Sequence, residues 1–575
     1  MINRLASAYQ KLSRLAQKKA FLSSLIINGL FFLLCFASRV ILMQIDDRYT
    51  SFFSFNVFGE YNGFLPYNNM ILGHLVVFLN KHIGSVSWYM LFQVFFTFIA
   101  YTLLTFVMLK HLKKGRLLFI AFLLYSLNYK LVKLFQFTPV AMNCMAFGLI
   151  VIFYYMLWGY KEKKEMKIAL PLAAMLIFYG YLLRSETIIP IIASGLIFFI
   201  CAMVKTKKGA GFTEFFKLRK TAILFLLVVC VLVLSVFAVD YAYYSTDPLL
   251  INSKEMGKAI PSYYDYPKPT YTENPELYES AGLSENDTMI ANKLYFTTPG
   301  LTAEKYNKIA QYRKENLNFF IKSSFASLKS FLTTRANMYI YLFFIFFLMF
   351  FVIDKKNFLW YLIFLFTVLG YIALLSINGR VKERVVSSVI EMMILFSLLW
   401  YSLYGRQRVE ASIKSFSALA LILCFTAFGM LDVYTFASGI ITARRHYRKP
   451  RPVSEVTSYV NDNKDITFIG TRQLTSDYSF LFDFFDVPPA NYLENLVTVG
   501  DRFTMMPNII KAAEELNAGQ PFELLLDSDK ALFICLTEDT DMFTAYIKEH
   551  CTTDFTSKEI KTIDRYSVID FDRTE

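Results

Sequence analysis

The sequence predicts a polytopic α-helical membrane protein with a small α/β domain after its last membrane helix. Of the 575 residues, 55% are hydrophobic and only 18% are charged, whereas soluble domains have roughly 25% charged residues. Apolar runs of about 18 residues, the length that crosses a bilayer as a helix, recur along the chain. The part after the last such run alternates short apolar segments with helical patterns, which is typical of an α/β domain.

The apolar runs predict about eleven membrane spans, and the charges of the loops indicate on which side of the membrane each span begins and ends. Segment 1–20 is basic and is predicted to be amphipathic, and basic loops follow every second span. Because Lys and Arg are retained on the cytoplasmic side, we expect a cytoplasmic N-terminus and a C-terminal domain outside the cell. The first apolar run lacks a small-residue cleavage site, so we interpret it as a retained helix. The predicted spans are 21–43, 86–109, 117–134, 138–159, 168–183, 187–204, 221–241, 338–353, 358–377, 385–404 and 415–437.

Two long segments are predicted outside the membrane between these spans. The first outer loop, 44–85, contains an apolar stretch at 68–80 that is too short to cross a bilayer, so we expect a helix lying in the outer interface. If this stretch crossed the membrane, the later basic loops would all face outward. The large outer loop, 242–337, is rich in Tyr and Pro, and loops of this length are usually functional.

The tail 438–575 is predicted to be a soluble extracytoplasmic α/β domain. It has no recognisable catalytic motif, and we expect it to bind the acceptor or to shape its path. Cys535 and Cys551 lie in this tail and could pair there, whereas the other five cysteines lie in apolar segments. The segments that predict strands or helices are 466–469, 508–516, 531–536, 541–550 and 566–569.

The composition also excludes some functions. The net charge of +13 is explained by the basic cytoplasmic loops, so it does not indicate nucleic-acid binding. The sequence contains no metal-ligand spacing, no glycine-rich phosphate loop and no Ser-His-Asp pattern. Catalytic residues must therefore be sought among single charged side chains near the membrane.

An acid pair, Asp46 and Asp47, follows the first span directly. A carboxylate near hydrocarbon loses solvation and needs a partner, a water-filled cavity or a function; the alternative is an ordinary solvated helix end. Two adjacent side chains on an extended or turn backbone point in different directions, so we expect one Asp to be a general base and the other to orient the acceptor or a cation. Asp46, nearer to the helix end, is slightly preferred as the base.

Basic side chains collect at the same outer end of the predicted bundle. The short turn between the ninth and tenth spans contains Arg380, Lys382 and Arg384, although short outer loops normally lack such residues. Arginine offers a fork of donors that matches phosphate, and lysine adds a point charge; an ordinary polar turn is the alternative. An Asp here could deprotonate a hydroxyl that attacks a lipid-phosphate sugar while the cations hold the leaving phosphate.

Further charged residues at this end are Arg184, Glu186, Lys130, Lys133 and Asp240. Glu391, inside the tenth span, is expected to pair within the bundle.

Several short motifs extend this pattern across roughly residues 20–400. They are 46–49, 67–73, 87–89, 136–138, 180–186 and 282–287. In their order and spacing they resemble the GT-C superfamily of membrane glycosyltransferases, in particular a Gram-positive branch of glucosyltransferase-like membrane proteins. The Asn that commonly precedes the acid pair in that branch is Ile45 here, which leaves open which Asp is the base.

The resemblance implies a GT-C fold, a polyprenyl-phosphate sugar donor and catalysis by an acid pair in the first outer loop. It implies Asp46 and Asp47 as catalytic residues. The many Lys, Phe, Tyr and Ile residues favour a Gram-positive bacterium, in which wall polysaccharide or teichoic acid at the plasma membrane is the expected acceptor. Single-phosphate donors in this superfamily generally need no metal, so no cofactor is predicted and a divalent cation stays an open alternative. Possible supporting residues are Lys130, Lys133, Glu186, Asn286 and Asp287.

Two other classes of function stay open. A polysaccharide polymerase or ligase of the O-antigen type also has many helices, a large outer loop and arginines that bind a lipid diphosphate, but an acid pair directly after the first helix is not characteristic of it. A flippase or transporter of lipid-linked sugars would be expected to carry charges near helix midplanes and internal repeats. The sequence shows few such charges and no clear repeat.

Overall fold

The computed structural model describes most of the chain. Predictions that rest on residues 1–14, and on the side chains of 406–428 with Cys424 among them, lie outside the described residues. The described residues are 15–41, 44–61, 63–112, 116–206, 212–295, 300–333, 338–405, 416–448, 453–500, 507–519, 521–552 and 554–573.

A helix is present at every predicted span. Within the described ranges, eight helices are long and apolar enough to cross a membrane, which confirms a multi-pass α-helical protein. The helices at the predicted spans are α1 (Ala20–Ala37), α4 (Trp88–His111), α5 (Arg116–Lys133), α6 (Phe137–Leu157), α7 (Lys163–Leu183), α8 (Ile188–Thr206), α9 (Phe212–Tyr244), α15 (Met338–Ile353), α16 (Phe358–Ile377), α17 (Glu383–Tyr404) and α18 (Phe416–Arg448). The last of these continues beyond its predicted end at 437.

Helix α6 lies at the centre of the bundle. It is apolar on all sides and buried along its whole length, as expected of a helix that is surrounded by other helices. It packs tightly on α7 at two glycines: a Cβ at Gly148 would lie 2.6 Å from the carbonyl oxygen of Ala173, and one at Gly180 would lie 2.6 Å from that of Ala141. Small residues permit this close approach of two membrane helices. The first residue of α6, Phe137, is thereby fixed at one end of the bundle.

The first outer loop contains two short helices, α2 (Ile45–Phe53) and α3 (Met70–His82). The stretch 68–80 therefore forms a helix, whose N-terminus is capped by the Asn69 side chain accepting a hydrogen bond from the Ile71 amide. The backbone around the acid pair was expected to be extended or turned and is instead the first turn of α2. Carboxylates are favoured there because the N-terminus of a helix is electropositive.

The large outer loop is mostly helical and shares a hydrophobic core with the C-terminal domain. For example, the ring centroids of Tyr295 and Phe543 lie 5.0 Å apart. The helices of the outer loop are α10 (Pro248–Tyr264), α11 (Pro275–Ser280), α12 (Glu285–Asn292), α13 (Ala303–Glu315) and α14 (Leu317–Thr333). These two outer regions therefore fold against each other.

The C-terminal domain is an α/β domain, as predicted. Its five-stranded sheet has the order β2-β1-β3-β5-β4, in which β1, β2 and β3 are parallel and β5 is antiparallel to both β3 and β4. Cys535 and Cys551 are free thiols. The strands are β1 (Thr467–Thr471), β2 (Leu496–Val499), β3 (Ala531–Leu536), β4 (Phe555–Ile563) and β5 (Tyr566–Arg573), and the helices are α19 (Val453–Asp462), α20 (Arg472–Ser479), α21 (Pro507–Glu515), α22 (Pro521–Asp527) and α23 (Thr540–His550).

Candidate active site

Asp46 lies where α2, α6 and α17 meet. Its Oδ2 accepts a hydrogen bond of 2.9 Å from Nε2 of Gln136, and a guanidinium nitrogen of Arg384 lies 3.4 Å from the same oxygen. The Asp46 side chain is 32% exposed. A carboxylate that is accessible, oriented by an amide and paired with a guanidinium is suited to accept a proton from a bound hydroxyl.

The neighbouring Asp47 has a different environment. Its side chain is fully buried, and its Oδ1 accepts hydrogen bonds from Gln93 Nε2 at 2.7 Å, the Phe137 amide at 3.1 Å and the Tyr89 hydroxyl at 3.3 Å. Burial, to which the adjacent Asp46 charge adds, raises the pKa of Asp47 to about 7, although the hydrogen bonds oppose the shift. Asp47 therefore anchors the start of α2 to the start of α6.

Gln136 connects the carboxylate to the basic turn. Its amide nitrogen donates to Asp46, and its Oε1 accepts a hydrogen bond of 2.8 Å from Arg384. Gln136 is itself buried. One amide thus fixes a base candidate and a phosphate-binding candidate relative to each other.

Arg184 lies at the same end of α6. It donates a hydrogen bond of 2.7 Å to the Thr138 hydroxyl and forms an ion pair of 3.4 Å with the exposed Glu186. Its guanidinium lies over the rings of Phe137 and Tyr67, at 5.1 and 5.6 Å from their centroids. Stacking and hydrogen bonds to Thr138 and Glu186 hold the guanidinium in place, and its other N–H groups can still donate.

The large outer loop positions Arg380. A terminal nitrogen of Arg380 forms an ion pair of 2.8 Å with Asp265. The preceding Gly379 has a φ of +80°, and a Cβ there would lie 2.9 Å from the Arg313 guanidinium, which donates a hydrogen bond of 2.7 Å to the carbonyl oxygen of Ile377. Only glycine fits this turn without strain, so the loop and the turn form one unit.

The arginines are close enough to affect one another. Burial lowers the pKa of Arg380, and the positive charges of Arg384 and Arg184 contribute to this shift. Lys382 is affected in the same way by Arg380. The four predicted phosphate-binding residues thus form one electrostatic cluster, and Asp46 lies at its edge through Arg384.

Two of the predicted supporting residues, Lys130 and Lys133, lie outside the group formed by Asp46, Gln136 and the arginine cluster. Lys130 is buried inside the bundle, where its Nζ donates to the hydroxyls of Ser387 and Ser388, both at 2.9 Å, and lies 3.8 Å from Glu391. The expected pairing of Glu391 within the bundle is therefore present. Lys133 is exposed at the end of α5.

Asn286 and Asp287 join the outer loop to the C-terminal domain. Asn286 donates a hydrogen bond of 2.8 Å to Glu549, and an oxygen of Asp287 lies 2.9 Å from His550 Nε2. Asp287 also completes the capping box of α12 with Ser284. Asp287, Glu549 and His550 are close enough to share a cation, but the Asp287–His550 contact, the Asn286–Glu549 hydrogen bond and the helix cap account for their arrangement.

Sequence reasoning missed the roles of Gln136, Asp265 and Gln93. Gln136 was part of a recognised motif, but no role followed from its type because an amide can serve in many ways. Asp265 lies in the Tyr- and Pro-rich stretch of the large outer loop, far from Arg380 in sequence. The only signal in the sequence for the ion pair of Asp265 with Arg380 is that the two residues have opposite charges and lie in two predicted outer loops.

The C-terminal domain contacts the helix that carries the acid pair. Arg48 donates to the carbonyl oxygen of Phe482 at 2.7 Å, and its guanidinium lies 4.5 Å from the centroid of the Phe480 ring. The Tyr49 hydroxyl donates to the carbonyl oxygen of Arg472 at 3.3 Å. The tail thus contributes to the position of α2.

Comparisons with known proteins give distant structural similarity. No protein-family model matches the chain, and no curated protein matches it. Among solved structures, it is similar to ArnT from Cupriavidus metallidurans bound to undecaprenyl phosphate, with 10% identity and a TM-score of 0.46 over 95% of this chain and 97% of that chain. The apo state of that protein gives 11% identity and a TM-score of 0.38 over 94% and 97%. Similarity at this level assigns no activity, so the functional argument rests on the site itself.

Proposed function

We propose that the protein is a membrane glycosyltransferase of the GT-C type, which moves a sugar from a polyprenyl-phosphate donor to a cell-envelope glycan on the extracytoplasmic face. One observation carries the proposal. At one end of a membrane bundle, an accessible carboxylate, Asp46, is held by Gln136 against a guanidinium of an arginine cluster. This arrangement offers a base for a hydroxyl and cations for a phosphate at adjacent positions.

In the proposed reaction, Asp46 takes the proton of an acceptor hydroxyl as its oxygen attacks the anomeric carbon. The bond between that carbon and the phosphate oxygen breaks, and the electron pair leaves with the polyprenyl phosphate. Attack from the face opposite the leaving group inverts the anomeric configuration. General-base help of this kind is typically worth 10²–10⁴-fold.

The arginines stabilise the charge that grows on the leaving phosphate. Arg384 is the closest to the base, and Arg380, Arg184 and Lys382 complete the cluster. Such fixed donors accelerate the reaction when they bind the transition state more tightly than the ground state. Asp47 holds the helix in register and does not take part in proton transfer.

One observation favours a second candidate. The buried pair of Lys130 and Glu391 lies within the bundle, and ionisable groups at such depth often mark a transport path. A transporter of lipid-linked sugars would move its substrate without breaking the glycosidic bond. Release of free polyprenyl phosphate therefore distinguishes transfer from transport.

The test is sugar transfer by the purified protein in lipid nanodiscs, with a radiolabelled polyprenyl-phosphate hexose and an envelope glycan fraction. We expect Asp46→Asn to lower turnover by about 10²–10⁴-fold, equivalent to about 3–5 kcal/mol of barrier. A melting curve confirms that the variant folds, and Glu514→Gln, at an exposed carboxylate of the C-terminal domain, is the control. If folded Asp46→Asn and Asp47→Asn variants both keep wild-type turnover, the acid pair is a solvated helix end. Mass spectrometry of the product separates addition of one sugar from chain polymerisation.

A further inference from the structure

A cavity of about 460 Å³ lies between the large outer loop and the basic turn, and Arg380 is part of its lining. Its charged lining residues are Lys268, Lys322, Arg380, Lys382, Asp265 and Glu273. Cations thus outnumber acids around the cavity. Serine side chains of α14 also line its wall.

Both acidic residues already have hydrogen-bonding partners. Asp265 forms the ion pair with Arg380, and Glu273 accepts a hydrogen bond of 2.7 Å from the Thr270 amide. Among the residues that the structure describes, Lys268, Lys322 and Lys382 form no ion pair with a carboxylate. Glu273 and Asp265 offset part of the charge of Lys322 and Lys382, but four cations against two acids still leave the cavity with a net positive charge.

Within the described part of the chain, Lys268 also has no carboxylate partner, and it is more buried than Lys322 and Lys382. Burial lowers its pKa to about 8, with no carboxylate to oppose the shift. Its Nζ lies 4.1 Å from the centroid of the Tyr263 ring, a contact that compensates only part of the lost hydration. Burial of an ammonium group is costly unless an anion accompanies it, so the cavity is complementary to an anion.

The two faces of α14 indicate whether that anion comes from the membrane or from the aqueous phase. Large apolar side chains at Leu317, Ile321, Phe325 and Leu332 recur at helical spacing and are 43–69% exposed. A helix with such a face and basic residues opposite is suited to lie in a membrane interface. Residues 319, 322, 323, 326, 327 and 330, which line the cavity, fall on the opposite face at 100° per residue. The cavity therefore lies on the face of α14 that is opposite to the exposed apolar stripe.

We propose that this cavity binds a phosphate group of the acceptor, so that the acceptor is a phosphate-bearing glycopolymer in the aqueous phase. This proposal rests on the proposed function. Arg380 belongs both to the cavity and to the arginine cluster around Asp46, so a chain that is held in the cavity lies next to the donor site. The lipid phosphate of the donor occupies the bundle side of Arg380, and the acceptor phosphate occupies the outer side.

Binding is measured without donor, by isothermal titration of a glycerol phosphate oligomer into the wild-type protein in neutral-lipid nanodiscs. We expect binding, and about tenfold or greater weakening in Lys322→Gln and in the Lys268→Gln, Lys322→Gln double variant, since each removes a charge-assisted contact. Lys329→Gln removes the same charge from the same helix outside the cavity lining, and it should bind like wild type. Melting curves exclude misfolding of the double variant.

Three outcomes would overturn the inference. The oligomer does not bind to wild type, or it binds equally to Lys322→Gln, or nanodiscs containing phosphatidylglycerol abolish binding. The last result would assign the cavity to a lipid headgroup. Inorganic phosphate should compete only weakly, because it offers one anion where the oligomer offers several. These readouts contain no sugar transfer, so a failure of the proposed function leaves them unchanged and a failure here leaves the transfer assay unchanged.

Discussion

Removal of the Gln136 amide is the sharpest test of the geometry around Asp46. Gln136→Met keeps the length and approximate volume of the side chain but removes both hydrogen bonds, the one to Asp46 at 2.9 Å and the one from Arg384 at 2.8 Å. The carboxylate and the guanidinium would then lose the group that holds them in register. Gln136 is a positioning residue, so the effect should be on kcat more than on the KM of the donor.

The magnitude follows from the two contacts. A hydrogen bond to a charged group contributes about 1.5–3 kcal/mol, and the partial exposure of Asp46 and Arg384 places both contacts at the lower end. Because the two contacts share one amide, their losses are not additive. A cost of about 1.5–3 kcal/mol corresponds to a fall in kcat of about 10–150-fold.

Steady-state transfer by Gln136→Met, measured at varied donor concentration, checks this value. Gln93→Met is the matched control, since it makes the same change at the amide that binds buried Asp47; we expect it to lower the melting temperature and to affect kcat less. If folded Gln136→Met stays within twofold of wild-type kcat, or if the two variants lose the same activity, Gln136 does not orient a base.

Three further predictions concern stability, transfer activity and topology. Burial raises the pKa of Asp47 in the folded protein from 3.8 to about 7, so the wild-type protein should lose stability as the pH rises between these values. Asp47→Asn should flatten this pH dependence of the melting temperature. The same pH dependence in both proteins would contradict this reasoning. Gly379→Ala should lower transfer activity because its Cβ would meet the Arg313 guanidinium, and wild-type activity would show that the turn adapts. In a cysteine-free background, a membrane-impermeant maleimide should label Thr272→Cys on intact cells but not Lys163→Cys, and labelling at the latter would reverse the predicted orientation.

The sequence predicted the bundle well because membrane helices are encoded locally. A run of about 18 apolar residues must satisfy its backbone groups internally, so it forms a helix whatever its neighbours. For the same reason the predicted spans at 117–134 and 338–353 agree closely with Arg116–Lys133 and Met338–Ile353. The end of the last span was predicted too early, at 437, whereas the helix is Phe416–Arg448. Its last turns carry polar residues, and a hydropathy criterion ends a span where polar residues begin.

The site was predictable only in part. Charge and position made Asp46 and the basic turn candidates, because charged groups near a membrane are costly and therefore informative. No local pattern indicated that Lys130 would be buried with Ser387, Ser388 and Glu391, since its position at a predicted helix end suggests exposure. The shared core of the outer loop and the C-terminal domain was also hidden, because contacts between distant segments leave no local pattern.

The proposed division of roles between the two acids is consistent with helix geometry. Adjacent residues of an α-helix project about 100° apart, so a helix that buries one side chain leaves its neighbour near the edge of the buried face. Asp47 points into the core and is enclosed by Gln93, Tyr89 and the Phe137 amide, whereas Asp46 reaches the boundary where Gln136 and Arg384 meet it. The buried acid fixes the start of the helix, and that fixed start orients the accessible one. An acid pair can therefore supply one anchor and one base, and neither role requires a second carboxylate in the reaction.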